Sequence, residues 1–372
     1  MPIRLTPRHR IATFVVLAAV TGAMALVVVR GTKQSASSRI PKLGESGEAS
    51  GGSTGGSTGG SANTILYDAP TAANLNRLLA LPHFLSVHYP AVPGEAYRLE
   101  VVPAGDPRKP RVRTKLSCLI VHFRSERGIC IPPPVDPLGT QVQFIDKQLD
   151  VTRTFTLAGT PSRARMSPDG NYAAVTNFLS GHSYSDASFS TATTVIDTAT
   201  GKSSNLEEWS VFNESTRIVD QARNFWGVTF LSDNSFYVAM GVRGDRFLLK
   251  GELKDRTLRV LGPRMECPSV APDGRHLTFR RGVVEADGAT SMPLFLLDLE
   301  TMTERRLTFD ETVDGQPEWI DNRRLSIGTP TGPPNVAIID IENLQTGPAL
   351  WKILIPDSTA VAFVNPVGQS VP

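Results

Sequence analysis

The sequence predicts an all-β protein, a six-bladed β-propeller built from four-stranded blades. The first observation behind this prediction is the segment 270–279, which has the pattern of a strand, a tight turn and a second strand. Pro272 sets φ to about −65° at the first turn position, Asp273 can accept hydrogen bonds from the backbone that follows it, and Gly274 tolerates a positive φ. Beyond the turn, apolar and polar residues alternate with the period of two that marks a half-buried strand.

The second observation is that this unit recurs along the chain. Residues 166–175 are a near copy of it, and residues 231–238 and 319–327 are degenerate copies. The starts of these units are 65, 39 and 49 residues apart. Such spacings are typical of four-stranded blades that carry loop insertions of different lengths.

The strand signals divide the chain into six blades and leave one strand over. We predict the blades at 83–114, 115–158, 160–206, 219–262, 264–308 and 314–355. The first of these is one strand short, whereas 359–364 is an apolar strand without a blade. We therefore expect this last strand to complete blade one, because closing the ring removes the exposed sheet edges.

The composition and charge of the chain argue against a nucleic-acid partner. The 372 residues include 31 Gly and 28 Pro, which suits many short strands joined by turns. The chain has 38 Lys/Arg and 36 Asp/Glu, but residues 1–64 alone hold seven basic and two acidic side chains. Acidic residues therefore outnumber basic ones in the predicted propeller, and we expect no nucleic-acid partner.

The N-terminal region predicts a membrane anchor. Residues 1–10 contain three arginines and no acid, and residues 11–29 are 19 uncharged, mostly apolar residues. As a helix, that run is about 28 Å long, enough to cross the hydrocarbon core of a bilayer. We predict an uncleaved transmembrane signal anchor at 11–29 with residues 1–10 in the cytoplasm. The alternative is a cleaved signal peptide, whose apolar run is usually shorter.

A linker follows the predicted anchor. Residues 30–64 include an eleven-residue Gly/Ser/Thr run at 51–61 and few large apolar groups. A segment of this composition cannot recover its ordering entropy by burial, so we predict a disordered tether. The predicted localisation is therefore a single-pass protein of the cell membrane whose propeller is extracytoplasmic.

A short helical lead-in is predicted at 65–82, ahead of a propeller domain spanning 83–372. Leu75, Leu78 and Leu79 have the spacing of one face of a helix. We expect this helix to cover one end of the propeller, and the alternative is that it binds a partner.

The turn segments resemble those of a known family. Ser167–Gly170 and Ala271–Gly274, with the aliphatic strands that follow them, are similar to the propeller repeats of TolB-like proteins. Pro161–Ser167, Asn224–Phe230 and Glu266–Ser269 resemble membrane-anchored or secreted bacterial members without established activity. The resemblance covers 83–372 and implies an envelope protein that docks other proteins. The predicted anchor and tether stand where TolB itself has an α/β domain.

The three cysteines suggest one disulfide. Cys118 and Cys130 flank a predicted hairpin that turns near 125–128, which places them opposite or nearly opposite each other on adjacent strands. In an extracytoplasmic domain they are expected to form a disulfide, and the alternative is a pair of buried free thiols. Neither has a second ligand at zinc-binding spacing. Cys267 is interpreted as core.

Enzyme motifs are not found. The chain has no H-E-x-x-H, phosphate-binding loop or G-x-G-x-x-G pattern, and G-x-S-x-G occurs only within the low-complexity run 51–61. Asp169 and Asp273 are assigned to turn chemistry rather than to catalysis. The sequence therefore predicts a non-catalytic binding or scaffolding module with no cofactor and no metal. The alternative is a hydrolase or lyase with an active site in the central funnel.

A candidate binding surface comes from the longest polar insertion, 179–190, between two strands of blade three. Because strands in a blade alternate in direction, this loop and the connections between blades share the face opposite the Pro-Asp-Gly turns. Long loops on a rigid scaffold commonly carry function. We predict that this surface binds envelope proteins or a peptide or glycan ligand, and that Trp226 alternatively lies in the core between blades. The predicted surface residues are His182, Tyr184, Asp186, Asn224 and Trp226.

Overall fold

The computed structural model describes residues 65–366, except for eight short gaps. The gaps are 91–94, 136–138, 182–183, 185–187, 233, 308–315, 329–333 and 343–351, and residues 367–372 follow the described part. The predicted cytoplasmic N-terminus, anchor and linker, 1–64, also lie outside the described residues. Within the described part of the chain, no helix is both long and apolar enough to cross a membrane.

Six mainly antiparallel sheets of at least four strands each confirm the predicted six-bladed architecture. Blade two contains β4 (Ile120–Arg124), β5 (Arg127–Ile131), β6 (Gly139–Asp146) and β7 (Val151–Ala158). Blade three contains β8 (Thr160–Met166), β9 (Tyr172–Ser180), β10 (Ser190–Asp197) and β11 (Ser203–Asn205). Blade five contains β18 (Glu266–Val270), β19 (His276–Arg280), β22 (Leu294–Asp298) and β23 (Thr303–Leu307). Blade six contains β24 (Glu318–Trp319), β25 (Arg324–Gly328), β26 (Val336–Asp340) and β27 (Lys352–Ile355).

Blade one closes the ring as predicted. Its strands are β28 (Ser358–Val364), β1 (His83–His88), β2 (Arg98–Pro103) and β3 (Val112–Arg113), in that order from the centre outward. The C-terminal strand β28 is thus the inner strand of a blade that otherwise comes from the start of the domain. Leu85 pairs with Ala362, and the Ser86 hydroxyl donates to Ser358 Oγ at 2.8 Å.

Blade four departs from the predicted four strands. Its regular strands are β14 (Arg223–Phe230), β15 (Ser235–Val242), β16 (Asp245–Glu252) and β17 (Thr257–Pro263). The stretch expected to be a plain connection adds β12 (Ser210–Asn213) and β13 (Thr216–Ile218), with β12 parallel to β17. The cause is burial: Trp209 and Val211 are almost fully enclosed in the core between blades three and four, which brings their backbone against β17.

The Pro-Asp-Gly turns have the chemistry that the sequence indicates. The Asp169 carboxylate accepts from the Asn171 N–H at 3.0 Å, and Asp273 accepts from the Arg275 N–H at 2.8 Å. The glycine of the second turn, Gly274, has a φ of 69°, a conformation that other residues adopt only at a cost. The two aspartates therefore serve the turns, as predicted.

The lead-in contains the helix α1 (Ala72–Leu79), which begins where the Thr71 side chain accepts from the Asn74 N–H. Leu78 is 2% exposed and packs with the core that blades one and two share, including Leu85 and Val101. The helix is thus fixed to the propeller through its apolar face.

The predicted disulfide joins Cys118 and Cys130, whose Cα atoms are 5.4 Å apart. It links β5 to the segment that leads into β4. The third cysteine, Cys267, is a buried free thiol.

Reducing this disulfide is expected to lower the free energy of unfolding by about 3 kcal/mol, because the unfolded chain regains the entropy of a loop closed by a 12-residue separation. Thermal unfolding with and without reductant measures the effect. The Cys118→Ala/Cys130→Ala variant should melt at the temperature of the reduced protein and ignore the reductant. A native protein whose melting temperature is unchanged by full reduction would contradict the prediction.

Candidate functional site

Four charged or titratable side chains meet at the centre of the ring, and we call them the central cluster: Glu318 on β24, His122 and Arg124 on β4, and Arg165 on β8. Glu318 Oε2 lies 3.2 Å from His122 Nε2 and 3.5 Å from Arg165 Nη2. The other carboxylate oxygen, Oε1, pairs with Arg124 Nη2. The Glu318 side chain is 6% exposed, so the cluster holds a buried carboxylate between two guanidinium groups.

The hydrogen bonds of His122 define its protonation. Its Nδ1 accepts from the backbone N–H of Met166 at 3.0 Å, so the proton lies on Nε2 and is donated to Glu318. Burial lowers the pKa of His122 to about 4, although the Glu318 charge opposes that shift. His122 is therefore neutral at pH 7, and protonating it would remove the acceptor for the Met166 N–H.

Glu318 stays ionised. Burial alone would raise the pKa of its carboxyl group, but the charges of Arg124 and Arg165 and the hydrogen bond from His122 outweigh burial and hold the pKa well below its ordinary value. Burial also lowers the pKa of Arg165, yet a guanidinium keeps its proton in proteins. At neutral pH the central cluster thus contains two positive charges and one negative charge.

Neighbouring residues extend these links around the ring. The Gln316 amide donates to the carbonyl oxygens of Gly227 and Val228 at 3.1 and 3.3 Å, and also to that of Pro268. Arg165 Nη2 donates to the Pro317 carbonyl at 3.1 Å. Inner strands of blades two to six are therefore cross-linked at the centre by side chains.

A cavity of ≈ 850 Å³ opens on the face that carries the Pro-Asp-Gly turns, and we call it the funnel cavity. Arg124 lines it and connects it to the central cluster, while Pro168 and Pro272 contribute from the turns of blades three and five. Other apolar lining residues come from α1, β4, the β6–β7 turn, blade six and β28: Leu79, Phe123, Leu149, Trp319, Ile320 and Phe363.

The remaining polar groups of the funnel cavity are already partnered or neutral. Lys147 and Glu126 form an exposed ion pair at 2.9 Å. His83 Nδ1 lies 2.7 Å from the Leu81 carbonyl, and burial lowers the pKa of its imidazole, so it is neutral with Nδ1 as the donor. Arg124 is thus the charged lining residue that belongs to a cluster of net positive charge.

The residues predicted to form a recognition surface have different outcomes. His182 and Asp186 lie outside the described residues. Tyr184 stacks on Trp226 with ring centroids 5.0 Å apart, and Trp226 is fully buried. Asn224 Oδ1 accepts from the Thr191 N–H at 2.9 Å, so Asn224 joins the inner strand of blade four to blade three.

The same region is therefore largely an interior aromatic cluster, formed by Tyr184, Phe189 and Trp226 with Cys267 against it. Burial raises the pKa of Tyr184 to about 12, and its hydroxyl lies 2.5 Å from Ser162 Oγ. Trp226 has the inter-blade position that the alternative interpretation gave it. The binding role of these residues stays a prediction.

Three apolar side chains are exposed on the face opposite the Pro-Asp-Gly turns, and the sequence analysis did not predict their exposure. Val135, between β5 and β6, is 92% exposed, and Leu179, at the end of β9, is 51% exposed. Val284 is 72% exposed and lies in the hairpin of β20 (Val283–Val284) and β21 (Thr290–Ser291), between β19 and β22. All three lie in or beside connections between the second and third strands of a blade. We call the surface that these connections form the loop face. No local pattern distinguishes an exposed valine from a buried one.

A half-buried acid lies beside the start of β10. Glu207, in the connection after blade three, accepts from the Thr193 N–H at 3.2 and 3.1 Å through its two oxygens and from the Thr191 hydroxyl at 3.3 Å. Burial raises the pKa of Glu207 to about 7, and these hydrogen bonds oppose that shift. Near the start of β10, the Glu207 carboxylate thus accepts the hydrogen bond that a neighbouring strand would otherwise accept.

Metal ligands are not assembled in the described part of the chain, where no three His, Cys, Asp or Glu side chains are grouped as a metal site requires.

The closed ring of six sheets defines the class of this protein, a six-bladed β-propeller. Among solved structures, the chain is similar to TolB from Acinetobacter baumannii, with a TM-score of 0.52, 14% identity, and 76% of this chain and 66% of that chain covered. The chain thus spans slightly less than two thirds of the length of that TolB. It is also similar to a chain in the nidogen/laminin complex, with a TM-score of 0.50, 10% identity, and 76% and 98% covered. No family model and no curated protein sequence matches the chain. These likenesses concern the fold, and at that level the TolB-like resemblance is confirmed.

Proposed function

We propose that this chain is a non-catalytic binding module that docks a protein partner on its loop face. The observation that carries the proposal is the exposure of Val135, Leu179 and Val284 on one face of a ring cross-linked at its centre. Exposed apolar side chains that share a face favour association with another protein. A rigid scaffold presents them without the entropy cost of ordering the loops at binding.

The alternative function, a hydrolase or lyase in the central funnel, has less support. Such an enzyme needs an acid or a base that can exchange a proton with a substrate. In the central cluster, His122 uses one ring nitrogen for the Met166 N–H and the other for Glu318. Glu318 is held as a carboxylate by its arginine partners. These groups stabilise one another, which favours a structural role.

The proposed setting is the outer side of a cell membrane. The sequence supports this through the apolar run 11–29 and the Gly/Ser-rich linker 30–64. A tether of that composition lets the propeller search for partners near the membrane while remaining outside it. The proposed partners are envelope proteins.

Site-specific photocrosslinking of the full chain in cells tests the loop face. A photoreactive phenylalanine analogue in place of Val284 should give a discrete crosslinked protein product. The matched control position is Val151, which is 43% exposed on the outer strand of blade two, and no such product is expected there. The Val135→Asp/Leu179→Asp change should abolish the product at 284 while leaving the melting temperature nearly unchanged. Products at 151 but not at 284 would place the partner elsewhere.

A further inference from the structure

The funnel cavity lies on the face opposite the loop face, and the proposed docking of a protein partner does not use it. We propose that it binds an apolar molecule bearing one carboxylate, with the carboxylate at Arg124 and the apolar body along the cavity wall. This ligand site is independent of protein docking on the loop face.

The size and walls of the funnel cavity suit a small ligand. Its volume of ≈ 850 Å³ falls within the range of about 300–1,000 Å³ that small-molecule sites occupy. Phe123, Trp319 and Phe363 supply aromatic surface, and leucine, isoleucine and proline side chains complete the walls. Such walls favour an apolar body of several carbon atoms through the area that it removes from water.

Charge at the inner end of the cavity selects the polar group. Arg124 and Arg165 carry two positive charges against the single negative charge of Glu318, because His122 is neutral. One positive charge is therefore uncompensated beside a low-dielectric wall. A further anion of single charge would balance the central cluster, and in such surroundings the attraction is stronger than in water.

The geometry of Arg124 favours a carboxylate. Its side chain is 29% exposed, and its described bonds are those of Nη1 to the Phe123 carbonyl at 2.9 Å and of Nη2 to Glu318. A guanidinium has five N–H donors, so donors remain for a ligand. Two parallel N–H bonds to a carboxylate are the arrangement that arginine forms best.

The other polar groups at the rim do not compete for this role. The Lys147 ammonium is paired with Glu126 and exposed to water, where ion pairs are weak. His83 donates from Nδ1 to a backbone carbonyl, so its other ring nitrogen is an acceptor, which a carboxylate does not match. The anionic end of a ligand is therefore directed to Arg124.

Isothermal titration calorimetry of the full chain at pH 7.5 tests the site with 4-phenylbutanoate and with the matched neutral probe 4-phenylbutan-1-ol. We expect the acid to bind about tenfold more tightly than the alcohol, because only the acid pairs with the guanidinium. Arg124→Gln should remove that preference while alcohol binding remains, and Arg124→Lys should restore part of it. Arg275→Gln removes an exposed arginine of the same face, and the affinities for both probes should be unchanged in this variant.

A second variant keeps the test decisive if Arg124→Gln unfolds. Gln148 is exposed at the rim of the funnel cavity, so Gln148→Trp should narrow the entrance and weaken both probes without a loss of stability. Equal affinity for acid and alcohol in the native chain would overturn the proposal. Unchanged binding of both probes to a folded Gln148→Trp variant would overturn it as well. Neither outcome bears on protein docking at the loop face, which the crosslinks at 284 report separately.

Discussion

Replacing Glu318 by glutamine is expected to lower the free energy of unfolding by about 3–5 kcal/mol, the cost of leaving buried charges without their partner. The variant keeps the shape of the side chain but removes the one negative charge that faces Arg124 and Arg165. The melting temperature should fall by roughly 10 °C. Chemical denaturation followed by tryptophan fluorescence measures the loss.

Glu300→Gln is the matched control. Glu300 also pairs with an arginine, Arg275, at 3.2 Å, but its side chain is 71% exposed. Exposed ion pairs contribute about 0–1 kcal/mol, so this variant should melt close to the native protein. If both variants lose equally little stability, Glu318 contributes no more to the free energy of unfolding than an exposed ion pair does. The proposed stabilising role of the central cluster is then wrong.

The pH dependence of the stability of the native protein should reveal the ionisation of Glu318. Because the pKa of folded Glu318 lies below its ordinary value of 4.5, its contribution is present above about pH 4.5 and is lost as the pH falls towards the folded pKa. The native protein should therefore lose stability more steeply than Glu318→Gln below that pH. If the plots of stability against pH for the native protein and for Glu318→Gln are parallel, the pKa of Glu318 is the same in the folded and unfolded states, and the prediction is wrong.

The architecture was accessible from the sequence because its determinants are local. A Pro-Asp-Gly turn is specified by three consecutive residues, as in 272–274, and the alternation that follows it marks the buried face of the next strand. The disulfide was accessible for the same reason, since Cys118 and Cys130 flank one hairpin. Ring closure by β28 followed from one missing strand in blade one and one spare strand at 359–364.

The central cluster could not be predicted, because its members are brought together only by the closed ring. His122 and Glu318 are 196 residues apart, and neither belongs to a motif. Trp226 shows the complementary limit. The sequence left it either on the candidate binding surface or in the core between blades, because its burial depends on Tyr184 and Phe189 packing against it. The extra strands of blade four were missed because a parallel pairing has no short-range turn signal.

Deleting 359–372 is expected to abolish cooperative folding of the propeller. The deletion removes nearly all of β28, so β1 loses its inner partner, and the pairing of Leu85 with Ala362 disappears. It also removes Val361 from the core between blades six and one, and Ala362 from the core between blades one and two. Burial of the apolar side chains of this strand contributes on the order of 5 kcal/mol or more, comparable with the whole stability of an ordinary domain.

Expression of the truncated chain should therefore give insoluble protein, or a soluble form without a cooperative thermal transition. The matched control is deletion of 367–372 alone, which keeps every described contact of β28 and should melt close to the native protein. Exchange of backbone amide hydrogens adds a local measurement, because the amides of β1 that pair with β28 should lose protection only in the longer deletion. A longer deletion that melts within a few degrees of the control would mean that the remaining five blades and an open blade one form a stable ring. In that case the exposed edge of β1 must be covered by a segment other than β28, since an unpaired inner edge in the centre of a propeller leaves buried backbone donors and acceptors unsatisfied.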